Sequence, residues 1–170
     1  MTLITGGAKC GKSRLAEKLL DGCTRKKIYI ATMQPFGEEA LAAISRHRRI
    51  RAGKGFETIE KYTALNELIL PENSAVLLEC MANLCANEMF GENGVNDPTE
   101  RIISGIKHLK NSCTDLVIVT NNVGSDGIAY TPETNGYIEA MGRLNAMSAA
   151  MADNVVECVY GVPVILKGKI

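Results

Sequence analysis

The stretch that decides the fold is Gly6-Gly7-Ala8-Lys9-Cys10-Gly11-Lys12-Ser13, near the start of a 170-residue chain. It fits the pattern G-x-x-x-x-G-K-[ST], in which a glycine-rich loop wraps around phosphate groups. The apolar pair Leu3-Ile4 before it predicts a strand, and the apolar spacing of residues 12–21 after it predicts a helix that Gly22 ends. Because a phosphate-binding loop lies between a strand and a helix, this context supports the motif.

Each part of this loop has a predicted role in binding a nucleotide. The backbone N–H groups point inward at phosphate oxygens, and the positive end of the following helix adds to the attraction. We expect the Lys12 ammonium to reach the outer phosphates and the Ser13 hydroxyl to bind Mg²⁺. Cys10 is expected to point away from the ligand. The predicted nucleotide-binding residues of the loop are Gly6, Gly7, Ala8, Lys9, Cys10, Gly11, Lys12 and Ser13.

Composition and charge narrow the class of protein. The 19 Lys and Arg residues balance 19 Asp and Glu residues, so net charge favours neither nucleic acid nor a membrane surface as a partner. The first strand begins at once, which leaves no room for a signal peptide, and no apolar run approaches the roughly 18 residues of a membrane span. Six scattered cysteines suit reduced thiols in a cytoplasmic protein. We expect residues 1–170 to form a single nucleotide-binding domain.

The rest of the chain alternates between strand-like and helix-like segments. Apolar runs predict strands at residues 3–4, 27–31, 56–59, 75–80 and 115–120. Helical patterns cover residues 12–21, 38–51, 64–70, 81–89, 98–110 and a long segment that begins at Pro132 with Thr131 as its N-cap. Residues 155–160 and 163–167 predict a hairpin around Gly161-Val162. The fold class is therefore a three-layer, P-loop NTPase-like α/β fold whose mostly parallel sheet has a C-terminal edge hairpin.

Ligands of such sheets bind at the carboxyl ends of the strands, which makes Thr32 and Glu79 further candidate site residues. Glu79 ends the run AVLLE, and an acidic residue at the tip of a neighbouring strand commonly holds Mg²⁺ in P-loop enzymes. Because glutamate is longer than the usual aspartate, a water-mediated metal contact or a bond to a substrate hydroxyl are alternatives. A third possibility is a carboxylate that faces solvent. Thr32 follows the run KIYIA and is predicted to contact the nucleotide.

The run Arg46-His47-Arg48-Arg49-Ile50-Arg51 surrounds one of two histidines with four arginines. At helical spacing His47 lies near the line of Ala40 and Ile44, so it faces the body of the protein. A solvated basic helix end or a packed histidine would also explain the run. The functional interpretation is a triphosphate clamp, with Arg46 and Arg48 binding the nucleotide. The neighbouring cations would favour a neutral, nucleophilic His47 and stabilise charge at an attacked phosphate.

An ordered set of motifs along the chain resembles one family. The motifs are TGGAKCGKSRLAE at the start, YIAT at 29–32, Ile44-x-x-His47-Arg48, an E-x-I-E-like stretch after Phe56, LLEC at 77–80, VTN with VG at 119–124, and GRLN at 142–145. The family is the bifunctional adenosylcobinamide kinase / adenosylcobinamide-phosphate guanylyltransferase of cobalamin biosynthesis.

This resemblance implies a single-domain P-loop enzyme that assembles as a homotrimer. Its partners would be a corrinoid and a nucleoside triphosphate, GTP or ATP, with Mg²⁺. The enzyme would phosphorylate the aminopropanol hydroxyl of adenosylcobinamide and then transfer GMP from GTP to that phosphate. By the same resemblance the guanylylated histidine falls on His47, the phosphate-loop residues on Lys12 and Ser13, and the acidic strand-end residue on Glu79.

The chain departs from the family pattern at two positions that bear on its activities. Phe56 stands where the family usually has tryptophan, and Asn122 replaces the glutamate of its T-N-E-V-G motif. One alternative function is therefore a P-loop kinase of another small alcohol without the guanylyl step. The other is a nucleotide-switched binding module, although the chain has no N-K-x-D motif to read guanine.

Overall fold

The described residues form a seven-stranded sheet around which the helices pack. The computed structural model describes residues 1–95, 97–124 and 126–170, without the side chains of Glu39 and Ile50. The strands are β1 (Thr2–Thr5), β2 (Lys27–Ala31), β3 (Phe56–Glu60), β4 (Ala75–Glu79), β5 (Asp115–Val119), β6 (Asn154–Val159) and β7 (Val162–Lys167). Their order across the sheet is β3-β2-β4-β5-β1-β6-β7. The strands β1 to β6 run parallel, and β7 pairs antiparallel with β6.

The helices cover both faces of this sheet and complete the three layers. They are α1 (Lys12–Leu19), α2 (Gly37–Arg51), α3 (Met81–Phe90), α4 (Thr99–Ser112) and α5 (Pro132–Met151). One core cluster lies between the sheet and α3, α4 and α5, and the other lies between the sheet and α1. The predicted fold class, a mostly parallel P-loop NTPase-like α/β sheet with a C-terminal hairpin, is therefore confirmed. No helix in the described part of the chain has the length and apolar character needed to cross a bilayer.

Strand β4 shows why its sequence is a continuous apolar run. All five of its residues are buried. Val76 and Leu78 enter the core beneath α3, α4 and α5, whereas Ala75 and Leu77 enter the core beneath α1. Successive side chains of a strand point to opposite faces, so a strand that is covered on both faces has no polar alternation.

The helix predicted over residues 64–70 is wrong, because the structure has only a 3₁₀ turn at Leu65–Glu67. Ala64 takes a left-handed backbone conformation, and its N–H donates to the Glu88 carboxylate on α3. Leu65 packs against α4, where an added Cβ on Gly105 would lie 2.7 Å from the Leu65 Cβ. These contacts with α3 and α4 hold the segment in a conformation that is not an α-helix. Tertiary structure therefore overrides local helix propensity here.

The C-terminal hairpin turns one residue earlier than predicted. Val159 pairs with Val162, so the two turn residues are Tyr160 and Gly161. Both have positive φ angles, 51° and 84°, as a tight two-residue hairpin turn requires. Strand β7 is then a sheet edge whose six residues are all exposed.

Candidate active site

The glycine-rich loop follows β1 and wraps closely against the neighbouring strand β6. Gly6 has a φ of 142°, and an added Cβ there would lie 2.6 Å from the Cys158 carbonyl oxygen. Only glycine satisfies both the angle and the close approach. Gly11, with a φ of 105°, is the N-cap of α1. The loop therefore presents backbone N–H groups at a helix N-terminus, as an anion site requires.

Lys12 lies inside the curve of this loop. The residue is 7 % exposed, and its Nζ donates to the Gly6 carbonyl oxygen at 2.9 Å and to that of Gly7. A buried ammonium held by two loop carbonyls is fixed next to the space that the loop encloses. The contact of Lys12 with the outer phosphates remains a prediction from the motif.

Glu79 joins the loop to the centre of the sheet and does not face solvent. Its carboxylate is 8 % exposed and accepts a hydrogen bond at Oε1 from the Ser13 hydroxyl and one at Oε2, of 3.1 Å, from the Tyr29 hydroxyl. The two predicted Mg²⁺ ligands are therefore in direct contact with each other. Among the described residues no group of three or more His, Cys, Asp or Glu side chains is placed to hold a metal. The hard oxygens of Ser13 and Glu79 fit a Mg²⁺ ion that takes its other ligands from phosphates and water.

Tyr29 forms the floor of the site on the α1 side of the sheet. Burial, followed by the nearby Glu79 charge, raises the pKa of the Tyr29 hydroxyl, so this group stays a hydrogen-bond donor. Its ring meets Phe56 edge-on, with 6.4 Å between ring centroids, and the Arg51 guanidinium lies 3.4 Å above its centroid. Phe56, which stands where the family pattern has tryptophan, therefore packs against Tyr29 and holds its ring in position.

His47 lies on α2 and reaches the same site as Glu79. The residue is half-buried and lines a cavity of about 60 Å³ together with Glu79 and Arg51. Ile44, one turn earlier on α2, lines the cavity too. His47 therefore faces inward, as predicted from the helical spacing. The other histidine, His108, lies far from the site, with its Nε2 at 2.7 Å from the Leu68 carbonyl oxygen.

The arginines around His47 do not all line the cavity that His47 lines. Arg46 is exposed and does not line this cavity, and Arg48 lines its rim but forms an ion pair with Glu60. Arg51 is instead the buried member of the run, at 7 % exposure. The structure thus brings His47 and Glu79 together but does not join Arg46 to them.

Thr32 is buried beside the site, and its hydroxyl is engaged by the backbone. The Thr32 Oγ1 donates to the Cys80 carbonyl oxygen at 2.8 Å and accepts from the Cys80 N–H at 2.7 Å. In this conformation Thr32 positions the chain that follows Glu79. Its predicted contact with the nucleotide remains a prediction.

The motifs VTNN and GRLN meet next to the glycine-rich loop. Asn145 on α5 accepts a 2.6 Å hydrogen bond from the Thr120 hydroxyl and donates to the Asn121 carbonyl oxygen. The Asn122 N–H donates to the Gly6 carbonyl oxygen at 3.2 Å. The position at which the family's glutamate is lost therefore adjoins the phosphate-binding loop.

Sequence reasoning missed Tyr29 and Asn145 and treated Arg51 only as one of four arginines. A signal existed for Tyr29, because the alternation in KIYIA places it on the face opposite Ile28 and Ile30. No local pattern distinguishes Arg51 from its neighbours, since its burial depends on the Tyr29 ring beneath it.

The fold and the loop define the class of protein: an α/β enzyme with a P-loop. The model of the family described as cobinamide kinase / cobinamide phosphate guanyltransferase matches residues 2–166, and the chain belongs to this family. It is 35 % identical over 182 residues to the bifunctional adenosylcobalamin biosynthesis protein CobU of Escherichia coli K12, covering 98 % of this chain and 99 % of that protein. CobU of Salmonella typhimurium is 36 % identical with the same coverage. The bifunctional protein CobP of Pseudomonas aeruginosa is 28 % identical over 172 residues, or 98 % of this chain and 97 % of that protein.

Proposed function

We propose that this chain carries out both reactions for which its family is named. It phosphorylates the hydroxyl of adenosylcobinamide with a nucleoside triphosphate and then transfers GMP from GTP to the new phosphate through a guanylyl-histidine. The observation that carries this proposal is the position of Glu79. Its carboxylate touches the P-loop through Ser13 and also lines the cavity of His47, so one carboxylate serves two adjacent reaction centres.

In the kinase step the P-loop holds the triphosphate. Lys12 and the loop amides bind the β- and γ-phosphates, and positioning and charge stabilisation carry most of such a transfer. Ser13 and Glu79 would hold Mg²⁺, which would neutralise charge on these phosphates. The substrate hydroxyl attacks the γ-phosphorus and its proton is released, while the nucleoside diphosphate leaves.

In the transfer step a ring nitrogen of His47 attacks the α-phosphorus of GTP. The bond from the α-phosphorus to the bridging oxygen breaks, and pyrophosphate leaves with the electron pair. A phosphate oxygen of adenosylcobinamide phosphate then attacks the same phosphorus and releases the imidazole. The product is adenosylcobinamide joined to guanosine through a diphosphate, and the histidine is regenerated.

Product analysis with adenosylcobinamide and GTP tests this assignment. The wild-type protein should give the guanylylated product, whereas His47→Asn should stop at adenosylcobinamide phosphate. Lys12→Ala should nearly abolish phosphorylation, because it removes a charge that acts on the transferring group. His108→Asn is the matched control, since this histidine bonds a loop carbonyl far from the site. A His47→Asn protein that still made the guanylylated product would refute the histidine mechanism.

One observation favours a kinase that lacks the second step. The carboxylate that the family pattern has at position 122 is absent, and Asn122 adjoins the P-loop through Gly6. A wild-type protein that accumulated adenosylcobinamide phosphate in excess GTP would establish this alternative.

We also propose that the protein is a cytoplasmic homotrimer. Large apolar side chains are exposed at α2, where the N-cap residue Phe36 is 78 % exposed and Leu41 on the helix is exposed too, and on β7, where Val162, Val164, Ile165 and Leu166 are exposed. A contact between subunits would cover such surfaces. The six cysteines are free thiols, which suits a reducing compartment.

A further inference from the structure

Arg51 occupies a position from which it can act on the chemistry at His47. It is the last residue of α2, four residues after His47, and residues four apart lie on the same face of a helix. Both residues line the cavity of about 60 Å³ that Glu79 also lines. The guanidinium carbon lies 3.4 Å from the centroid of the Tyr29 ring, and this cation–π contact holds the side chain in place.

The charge of Arg51 is buried without a counter-ion. Its Nε atom is fully buried and has no hydrogen-bond partner. The ion pairs nearby go to other residues, Arg48 to Glu60 and Lys54 to Glu17, and no carboxylate in the described part of the chain pairs with Arg51. A buried charge is costly unless it is paired and hydrogen-bonded. Glu60 and Glu79 line the same cavity without forming an ion pair with Arg51, so its buried Nε–H donor is free for an anion from outside the protein.

The donors of Arg51 limit what this anion is. The cavity of about 60 Å³ has room for bound water or for an oxygen-bearing group. A guanidinium presents paired N–H donors that match the oxygens of a phosphate.

We propose that Arg51 binds the α-phosphate of GTP beside His47 and keeps that phosphate bound in the guanylyl-histidine. This inference rests on the proposed function, because it assigns a binding partner to the phosphorus that His47 attacks. Arg51 stabilises the negative charge that builds on the non-bridging oxygens, both when pyrophosphate leaves and when the cobinamide phosphate attacks. The arginine that binds phosphate in this site is then Arg51, and not Arg46.

The rate at which GTP labels the protein with GMP tests this role in a single turnover. Arg51→Met should slow labelling by about 10²–10³-fold, as the loss of one charge-stabilising donor does in other enzymes. The labelling rate of Arg51→Lys should lie between the rates of Arg51→Met and wild type, because lysine keeps the charge but loses the planar donors. Arg49→Met, an exposed arginine two positions earlier, is the matched control and should label at the wild-type rate.

Two further measurements separate binding of phosphate from a structural role. Added guanidinium ion at millimolar concentration should restore part of the labelling rate of Arg51→Met, which repair of a misfolded protein would not do. Calorimetric titration with GMP should show at least tenfold weaker binding to Arg51→Met, whereas inorganic pyrophosphate should bind both proteins equally. Equal binding of GMP to both proteins would overturn the inference, and so would a loss confined to pyrophosphate.

The outcomes distinguish this inference from the proposed function. A wild-type protein that is never labelled refutes the guanylyl-histidine, and the GMP titration still decides whether Arg51 binds the phosphate. A labelled wild type with an equally fast Arg51→Met protein refutes only the role of Arg51.

Discussion

At the scale of single residues, Glu79 connects parts of the site that are far apart in the sequence. It receives hydrogen bonds from Ser13 in the P-loop and from Tyr29 on β2, and Tyr29 carries the Arg51 guanidinium on its ring. The side chains of Arg51, Tyr29 and Glu79 thereby link the end of α2 to Ser13 in the P-loop. In the proposed function, a nucleotide at the P-loop and a phosphate next to His47 would therefore both lie close to this one carboxylate.

The P-loop thiol gives a residue-scale prediction about nucleotide binding. Cys10 is half-buried at the loop with its Sγ 3.9 Å from the Lys12 Nζ, whereas Cys85 is fully buried on α3, where burial raises the pKa of its thiol to about 12. Because only a thiolate reacts readily, we expect iodoacetamide at pH 8 to leave Cys85 unmodified in the folded protein. Alkylation of Cys10 should be slower when a nucleoside triphosphate fills the loop. Peptide mass spectrometry with and without nucleotide measures the modification of Cys85 and the alkylation rate of Cys10.

The control for this experiment is Cys23, a half-buried thiol after α1. Its alkylation rate should not change when nucleotide is added. If Cys10 and Cys23 responded alike, the P-loop would not be the site that the nucleotide covers.

The sequence predicts the P-loop residues because their spacing is itself the chemical requirement. Lys12, Ser13 and Glu79 are placed by one motif and one strand end, so local rules were enough to bring them together. Arg51 was not distinguished from Arg46, because the difference arises from the ring of Tyr29, a residue on another element. Residues that depend on contacts between elements are therefore the ones that the sequence leaves undetermined.

At the scale of elements, two glycines in helix interiors respond in opposite ways to the same substitution. An added Cβ on Gly142 of α5 meets nothing within 4 Å, whereas one on Gly105 of α4 lies 2.7 Å from the Leu65 Cβ. Gly142→Ala should raise the free energy of unfolding by about 0.5–1 kcal/mol, because alanine favours the helix. Gly105→Ala should lower it, since overpacking costs about 1–3 kcal/mol and outweighs the helical gain.

Urea denaturation of both variants beside wild type measures these changes. In a double-mutant cycle, Gly105→Ala should cost less stability in a Leu65→Gly background than in wild type, because glycine removes the Leu65 Cβ that the new methyl group meets. A stabilised Gly105→Ala protein would mean that the 3₁₀ turn at Leu65–Glu67 does not pack on α4 as described.

The elements of the fold were predicted with differing success for a physical reason. The strands β2, β4 and β5 are apolar runs that require burial, so their positions follow from composition alone. The turn at Leu65–Glu67 has the local pattern of a helix, but Glu88 and Gly105 on neighbouring helices determine its shape. A prediction made from the ten residues around this turn cannot include Glu88 or Gly105, because both lie far from the turn in the sequence.

At the scale of the whole molecule, the exposed apolar side chains of α2 and β7 predict assembly. Light scattering at micromolar concentration should give three chain masses. Leu41→Glu on α2 and Val164→Glu on β7, both exposed positions, should each weaken the assembly if its surface is covered by another subunit. Lys18→Glu, an exposed position on α1, is the control. A monomeric wild-type protein with full activity would contradict the homotrimer.

We propose that one chain uses its P-loop for phosphorylation and His47 for guanylyl transfer. The most direct test of this proposal is incubation with GTP or ATP labelled at the α-phosphate, followed by digestion and peptide mapping of any label on the protein. We expect label from GTP and not from ATP, on the peptide that contains His47. This bond should be labile in acid and stable in base, as a phosphoramidate is. Label on a peptide without His47, or no label in a protein that makes the guanylylated product, would contradict the account.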